Sequence, residues 1–131
     1  MATLFATGPG RAAEWGCMTT GDGVPEVDVD EAKRRVDAGA MLLDVRTEDE
    51  WEAGRAPGAT WIPMREIQAR QDEIPTDRPI VVICRTGARS GRVTEALTAS
   101  GYDAVNVAGG LVAWDAADLG VVADDGPGTV A

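Results

Sequence analysis

The sequence predicts an α/β fold in which a mostly parallel sheet carries helices on both faces. Short apolar runs of strand length alternate along the chain with segments whose apolar residues recur at helical spacing. Such alternation implies right-handed crossovers and parallel strands with both faces covered. The chain has 131 residues, of which 44% are hydrophobic and 26% charged, which suits one globular domain. We place that domain at residues 26–122, between flexible tails at 1–25 and 123–131.

The organised part of the chain begins with a helix followed by a strand. Asp28 and Glu31 have the spacing of a capping box, and apolar residues keep helical spacing from there to Gly39. Residues 41–46 then form an apolar run with a polar end, which predicts a short buried strand. A polar strand end often faces a site, so this end is of functional interest.

A second capped helix and two further elements follow. Thr47 and Glu50 repeat the capping-box spacing, and Gly54 is placed to end that short helix. Residues 60–62 predict a strand, and residues 64–74 predict a helix that ends before two prolines.

The second half of the domain contains the clearest strand. Residues 80–83 are four consecutive β-branched residues, and they lead through a glycine-containing loop into a helix at 89–99. Residues 104–107 predict another strand, residues 109–110 a tight glycine turn, and residues 111–119 a last helix.

The composition excludes several classes of function. The chain contains no histidine, which removes Ser-His-Asp and Cys-His catalysis, histidine-ligated zinc and haem held by a proximal histidine. We expect no metal and no organic cofactor. The formal net charge of −10 makes nucleic acid and anionic membranes poor partners, and no apolar run is long enough to span a membrane.

The two cysteines, Cys17 and Cys84, differ in their surroundings. They lie too far apart for a dense disulfide framework or a zinc knuckle, so a reducing compartment, the cytoplasm, is expected. Cys17 lies in a Gly-, Ala- and Thr-rich segment for which we expect no role. Cys84 directly follows the clearest strand, at the sheet edge where ligands of parallel α/β proteins bind.

Residues 84–92 contain three arginines and no acidic residue in an otherwise acidic protein, which is the pattern of an anion site. Without imidazole, a thiolate must be stabilised by a helix N-terminus, backbone N–H groups or guanidinium charge, and this segment offers all three. We expect Arg89 to close a cradle over the sulfur or to bind a substrate anion, Arg85 to add charge at the rim, and Arg92 to face solvent. The alternative is a buried structural cysteine beside solvated arginines.

Several ordered motifs resemble the rhodanese (sulfurtransferase) family over about residues 26–122. They are Leu42-Leu43-Asp44-Val45-Arg46, Glu50-Trp51, Gly54, Pro57-Gly58-Ala59, Ile62-Pro63, Ile80 to Ser90, and Gly109-Gly110-Leu111-Val112-Ala113-Trp114. The resemblance implies a central parallel sheet of five strands and a cysteine that carries sulfur as a persulfide. By this resemblance Cys84 is the nucleophile, and the substrate-binding loop comprises Arg85, Thr86, Gly87, Ala88, Arg89 and Ser90.

The loop length separates sulfur transfer from phosphate chemistry. Related dual-specificity phosphatases place five residues between cysteine and arginine, whereas four separate Cys84 from Arg89 here. The resemblance therefore favours a small sulfur donor such as thiosulfate and a nucleophilic acceptor such as cyanide or a thiol. A phosphatase or arsenate reductase on the same fold is one alternative. A persulfide carrier or redox-sensing module whose partner is an acceptor protein is another.

The resemblance also assigns supporting residues. It places Asp44 near the loop, as a group that could support the site from behind, and it implies that Arg46 pairs with Glu50. We expect Trp51, Trp61 and Trp114 in the core. Arg55 stands where the family usually has histidine, which is not the base of the nucleophile.

Overall fold

The computed structural model describes residues 24–131, so the predictions for residues 1–23, including that for Cys17, lie outside the described residues. Five strands form one sheet with every neighbouring pair parallel, in the order β1-β5-β4-β2-β3. The strands are β1 Glu26–Val27, β2 Met41–Asp44, β3 Thr60–Trp61, β4 Ile80–Ile83 and β5 Ala104–Val107. The predicted α/β class is confirmed.

Helices cover both faces of this sheet. They are α1 Val29–Asp37, α2 Glu48–Ala53, α3 Ala88–Ala99 and α4 Gly110–Ala116. Successive strand residues point to opposite faces, so Leu43 joins a core cluster that includes Val93 and Leu97 of α3, while Leu42 joins one that includes Ala32 of α1 and Trp114 of α4. Both predicted N-caps are present: the Asp28 side chain accepts from Glu31, and Thr47 forms a capping box.

Strand β1 is an element that the residue pattern did not reveal. It has only two residues and pairs in parallel with β5, where the backbone N–H of Asn106 donates to the Pro25 carbonyl. A two-residue edge strand has no readable alternation of apolar and polar residues, so only its pairing partner defines it.

The helix predicted at residues 64–74 is wrong. The structure has two 3₁₀ turns there, Met64–Glu66 and Gln71–Glu73. Only Ile67 and Ile74 of this segment are buried. Helical stability in proteins comes mainly from burial of an apolar face, and two buried residues offer little of it.

The C-terminal segment, for which we expected a flexible tail, contains an antiparallel hairpin. Strands β6 Val122–Ala123 and β7 Gly126–Pro127 pair with each other, and the Thr129 N–H donates to the Ala53 carbonyl. Arg55 anchors this hairpin: its backbone exchanges hydrogen bonds with Val122, and its side chain forms an ion pair with Asp124. Arg55 therefore has structural contacts of its own, with the hairpin.

Of the three tryptophans predicted for the core, only Trp114 is fully buried. Trp51 and Trp61 are partly exposed and stack on each other with ring centroids 5.8 Å apart. The guanidinium of Arg55 lies 4.7 Å from the Trp51 ring, so the tryptophan pair belongs to the surface that holds the hairpin. None of the helices found between residues 24 and 131 has the length and apolar character to span a membrane.

Candidate active site

Cys84 directly follows β4 at the carboxyl edge of the sheet, as predicted, and it is 1% exposed. Its Sγ accepts hydrogen bonds from the Gly87 backbone N–H at 3.1 Å and from the Ser90 hydroxyl at 3.2 Å. Gly87 is the N-cap of α3 and has φ 108°, a left-handed conformation that glycine adopts at little cost. The loop therefore bends back on the sulfur and leads into the N-terminus of a helix.

The N-terminus of α4 sets the orientation of this loop from behind. The backbone N–H groups of Leu111 and Val112 donate to the carbonyls of Cys84 and Arg85 at 2.8 and 3.0 Å. Because a trans peptide directs its C=O and N–H to opposite sides, carbonyls held by α4 turn the N–H groups of Arg85 and Thr86 away from it, and the Thr86 N–H is one of the donors that lower the pKa of Cys84. A Cβ on Gly110 would lie 2.5 Å from each of these two carbonyl oxygens, so the close approach requires glycine.

The sequence pattern of residues 109–110 predicts only a tight turn, so this role of Gly110 was missed. The signal was available, since paired glycines between a strand and a helix often mark a close backbone approach. The residue pattern does not indicate which distant backbone segment such a glycine contacts.

The electrostatics of the loop favour an ionised cysteine. Burial raises the pKa of the Cys84 thiol. Hydrogen bonds from the Ser90 side chain and from the backbone N–H groups of Ser90, Gly87 and Thr86 together lower it by more, so the pKa lies below its usual value. These donors act without imidazole, in agreement with the mechanism expected for a chain that lacks histidine.

Arg89 forms an ion pair with Glu50, and among residues 24–131 it makes no hydrogen bond to Cys84 Sγ; its binding of a substrate anion, the other predicted role, stays a prediction. Its two terminal nitrogens donate to the two carboxylate oxygens of Glu50 at 2.7 and 2.8 Å. The hydrogen bonds from Arg89 and Thr47, opposed by partial burial, lower the pKa of Glu50 to about 2. A guanidinium fork fits one carboxylate closely, and in this structure α2 supplies that carboxylate. Arg89 thus ties α2 to the cysteine loop.

The pairing implied for Arg46 and Glu50 is also wrong. Arg46 forms an ion pair with Asp44 in which both side chains are fully buried, with a shortest distance of 2.8 Å. Its remaining donors bind the Glu50 and Gly54 carbonyls at 3.1 and 2.7 Å. Asp44 therefore supports the segment between β2 and α2, which carries Glu50, and not the sulfur directly.

The other basic residues of the loop lie at the surface. Arg85 is exposed at the rim, where its Nε donates to the Ala131 carbonyl at 2.8 Å, and Arg92 is exposed on α3, as expected. Thr86 and Ala88 are exposed at the mouth of the loop. The described part of the chain holds no cluster of three or more metal-ligating His, Cys, Asp or Glu side chains.

Asn106 of β5 is a site residue that sequence analysis missed. It is 2% exposed, and its Oδ1 accepts from the Ser90 hydroxyl at 2.5 Å while its Nδ2 donates to the Gly87 carbonyl at 3.1 Å. A polar residue inside the otherwise apolar strand was the available signal. Strand pairing and the alternation of side chains place it on the same face as Cys84.

This fold and site define an α/β protein with a candidate nucleophilic cysteine held among backbone amides at the carboxyl edge of a parallel sheet. Residues 28–117 match the family model described as Rhodanese-like domain, and the chain belongs to this family.

Named relatives and a solved structure agree with this assignment. The chain is 39% identical over 106 residues to a sulfurtransferase of Allochromatium vinosum, covering 79% of this chain and 99% of the relative. It is 35% identical over 112 residues to thiosulfate sulfurtransferase 18 of Arabidopsis thaliana, covering 73% of this chain and 82% of that protein. A rhodanese-related protein from Thermoplasma volcanium superposes with a TM-score of 0.70 at 28% identity, covering 75% of this chain and 97% of that one. These similarities support a role in sulfur transfer.

Proposed function

We propose that this protein is a sulfurtransferase in which Cys84 takes a sulfane sulfur from an anionic donor such as thiosulfate and passes it to a nucleophilic acceptor. The observation that carries the proposal is the convergence of backbone N–H groups on Cys84 Sγ: Gly87 donates at 3.1 Å, and the N–H groups of Ser90 and Thr86 also lower the pKa of the thiol. They favour the thiolate, which is the reactive form of the nucleophile.

The reaction proceeds in two balanced displacements. The Cys84 thiolate attacks the outer sulfur of thiosulfate, the S–S bond of the donor breaks, and sulfite leaves with the electron pair. An acceptor such as cyanide or a thiolate then attacks the outer sulfur of the persulfide. The S–S bond of the persulfide breaks, and its electron pair returns to Sγ and regenerates the thiolate. Neither step requires a metal or an organic cofactor.

The occupied guanidinium of Arg89 supports sulfur transfer over phosphate chemistry. A phosphatase needs an arginine fork free to bind the phosphate oxygens, whereas both terminal nitrogens of Arg89 already bind Glu50. Backbone amides and the exposed Arg85 remain for a small donor. The loop with four residues between Cys84 and Arg89 also favours sulfur transfer over phosphate chemistry.

Thiocyanate formation from thiosulfate and cyanide tests the proposal directly. We expect turnover and a mass gain of one sulfur atom on Cys84 in the full chain. Cys84→Ser should lose both, and Cys17→Ser, the matched control, should keep both. Full turnover by Cys84→Ser, or no persulfide with any sulfane donor, would contradict the proposal. Aryl phosphate hydrolysis above the Cys84→Ser background would instead favour the phosphatase alternative.

The charge of the donor is tested with arginine variants. Arg85→Ala should lower kcat/KM for thiosulfate about tenfold, the worth of one hydrogen bond to a charged group, and leave transfer from an uncharged donor unchanged. Arg92→Ala removes the same charge from the exposed face of α3 and should have little effect. Equal losses with both donors would contradict charge recognition by Arg85.

The acceptor and the location of the protein are part of the proposal. Cys84 is nearly inaccessible, and this favours a small acceptor or a partner that opens the loop. Slow turnover with cyanide and thiols, combined with fast transfer to a protein thiol, would favour the persulfide carrier. A free thiol used in this way suits the reducing cytoplasm.

A further inference from the structure

Behind the cysteine, a buried chain of polar groups connects Sγ to the edge of the sheet. The Ser90 hydroxyl contacts both Cys84 Sγ at 3.2 Å and Asn106 Oδ1 at 2.5 Å. Asn106 Nδ2 donates to the Gly87 carbonyl and to a carboxylate oxygen of Glu26 at 3.1 and 3.0 Å. Ser90, Cys84 and Asn106 are each at most 2% exposed, so bulk water does not reach the two contacts of the Ser90 hydroxyl.

The hydrogen-bond partners determine which way the Asn106 amide faces. Both neighbours of its nitrogen, a carbonyl and a carboxylate, can only accept, so the nitrogen must face them. Its Oδ1 must therefore face Ser90 and can only accept. The hydroxyl has one proton to donate, and two acceptors compete for it whenever Cys84 is a thiolate.

This competition affects the states of Cys84 differently. In the thiol, S–H donates to the Ser90 oxygen while the hydroxyl donates to Asn106, and every group is satisfied. In the persulfide the negative charge lies on the outer sulfur, so the hydroxyl again donates to Asn106. In the free thiolate, either the sulfur or Asn106 Oδ1 lacks the hydroxyl proton, which is costly in a buried site.

We propose that Asn106 is a positioning residue for sulfur transfer: it competes for the single hydroxyl proton of Ser90 and so disfavours the free Cys84 thiolate relative to the persulfide. This inference rests on the proposed function. Asn106 never touches the transferred sulfur and acts only through Ser90.

The inference concerns one balanced equilibrium. Sulfite attacks the outer sulfur of the persulfide Cys84–S–S⁻, the S–S bond breaks, and its electron pair returns to Sγ. The products are thiosulfate and the Cys84 thiolate, so no oxidant or reductant is consumed. Because Asn106 Oδ1 destabilises the Cys84 thiolate, it shifts this equilibrium toward the persulfide form of the enzyme.

Asn106→Val removes the acceptor and keeps a residue type that suits a strand. The Gly87 carbonyl retains the Gly91 N–H at 3.0 Å as a partner, so the loop keeps one of its anchors. All variants carry Cys17→Ser, and the rate of alkylation by iodoacetamide against pH gives the Cys84 titration. The Val variant should titrate about one pH unit lower, because the hydroxyl is then free to serve the thiolate. A merely loosened loop would lose donors to the sulfur and titrate higher.

Other charged groups near the cysteine are the same in the wild type and this variant. Within the described residues 24–131 they are Arg85 and Arg89 of the loop and α3, Glu50 of α2, Asp44 and Arg46 of the β2 end, and Glu26 of β1. The difference between the two titrations therefore isolates the hydrogen-bond competition. Glu26→Gln, which changes an exposed carboxylate and keeps Asn106 Oδ1, serves as the matched control and should titrate close to wild type.

The second measurement is the fraction of persulfide in equal concentrations of thiosulfate and sulfite, read by mass. Asn106→Val should lower the ratio of persulfide to thiolate about tenfold. In a Ser90→Ala background the same substitution should change neither the titration nor this ratio, because the contested proton is absent. An unchanged ratio, a titration moved to higher pH, or equal effects in both backgrounds would overturn the inference.

Folding is checked by near-ultraviolet circular dichroism. If Asn106→Val does not fold, Asn106→Ala carries the same expected signs without β-branched bulk. Failure of both to fold would give Asn106 a purely structural role and overturn the inference. A wild-type protein that forms no persulfide contradicts the proposed function itself, whereas a wild-type persulfide that Asn106→Val does not alter contradicts only the role of Asn106.

Discussion

Glu50→Gln isolates the ion pair that ties α2 to the cysteine loop. Both carboxylate oxygens of Glu50 accept from Arg89, and Oε1 also accepts from the Thr47 backbone at 3.0 Å. Glutamine keeps the size and one oxygen acceptor. The substitution therefore removes the charge and one acceptor while it leaves the packing of a side chain that is only 16% exposed.

The size of the effect follows from the pKa of Glu50. The hydrogen bond from Arg89, aided by Thr47 and opposed by burial, lowers this pKa from 4.5 to about 2. At about 1.4 kcal/mol per pH unit of difference, the charge contributes about 3 kcal/mol to the free energy of unfolding at neutral pH. Because the folded pKa is the lower one, this stabilisation is complete above the unfolded value of 4.5 and is lost as the pH falls to about 2.

Urea unfolding of the wild type and Glu50→Gln from pH 7 to pH 2, at constant ionic strength, measures this difference. We expect a gap of about 3 kcal/mol at pH 7 that closes toward pH 2. Glu48→Gln changes an exposed acid on the same helix and should show a gap below about 0.5 kcal/mol. A gap for Glu50→Gln that does not depend on pH, or one below about 1 kcal/mol at pH 7, would refute the assigned ion-pair energy.

Three further substitutions test the supports of the site. Gly110→Ala places a Cβ 2.5 Å from two loop carbonyl oxygens at a φ of 59°. It should lower the free energy of unfolding by about 2–4 kcal/mol and suppress persulfide formation measured by mass. A persulfide yield equal to wild type would contradict the close approach. Asp44→Ala leaves the buried Arg46 unpaired and should lower the free energy of unfolding in urea by about 3–5 kcal/mol. Adding Arg46→Met should recover part of this loss. A double variant no more stable than Asp44→Ala would argue against an unpaired charge as the cause. Trp114→Phe loses the indole N–H donated to the Gly120 carbonyl at 2.9 Å and should lower the free energy of unfolding by about 1–3 kcal/mol, with an unchanged unfolding midpoint as the contrary result.

The contrast between Cys84 and Arg89 shows how far sequence reasoning reaches into the site. Cys84 could be located because the strand before it and the helix after it are both local patterns, and the absence of histidine restricted how its thiolate can be stabilised. The Arg89 contact could not be foreseen, because Glu50 is 39 positions away and reaches it only when α2 packs beside the loop.

The sequence by itself determined the alternation of strands and helices, the helix N-caps at Asp28 and Thr47, and the cysteine at a strand end before a glycine-containing loop. These features depend on the period of apolar residues and on hydrogen bonds between residues a few positions apart. Tertiary structure alone decided the two-residue strand β1, the C-terminal hairpin, the glycine contact behind the loop and the place of Asn106 behind Ser90. Each of these requires backbone or side-chain groups far apart in the chain to meet, and no local pattern records such a meeting.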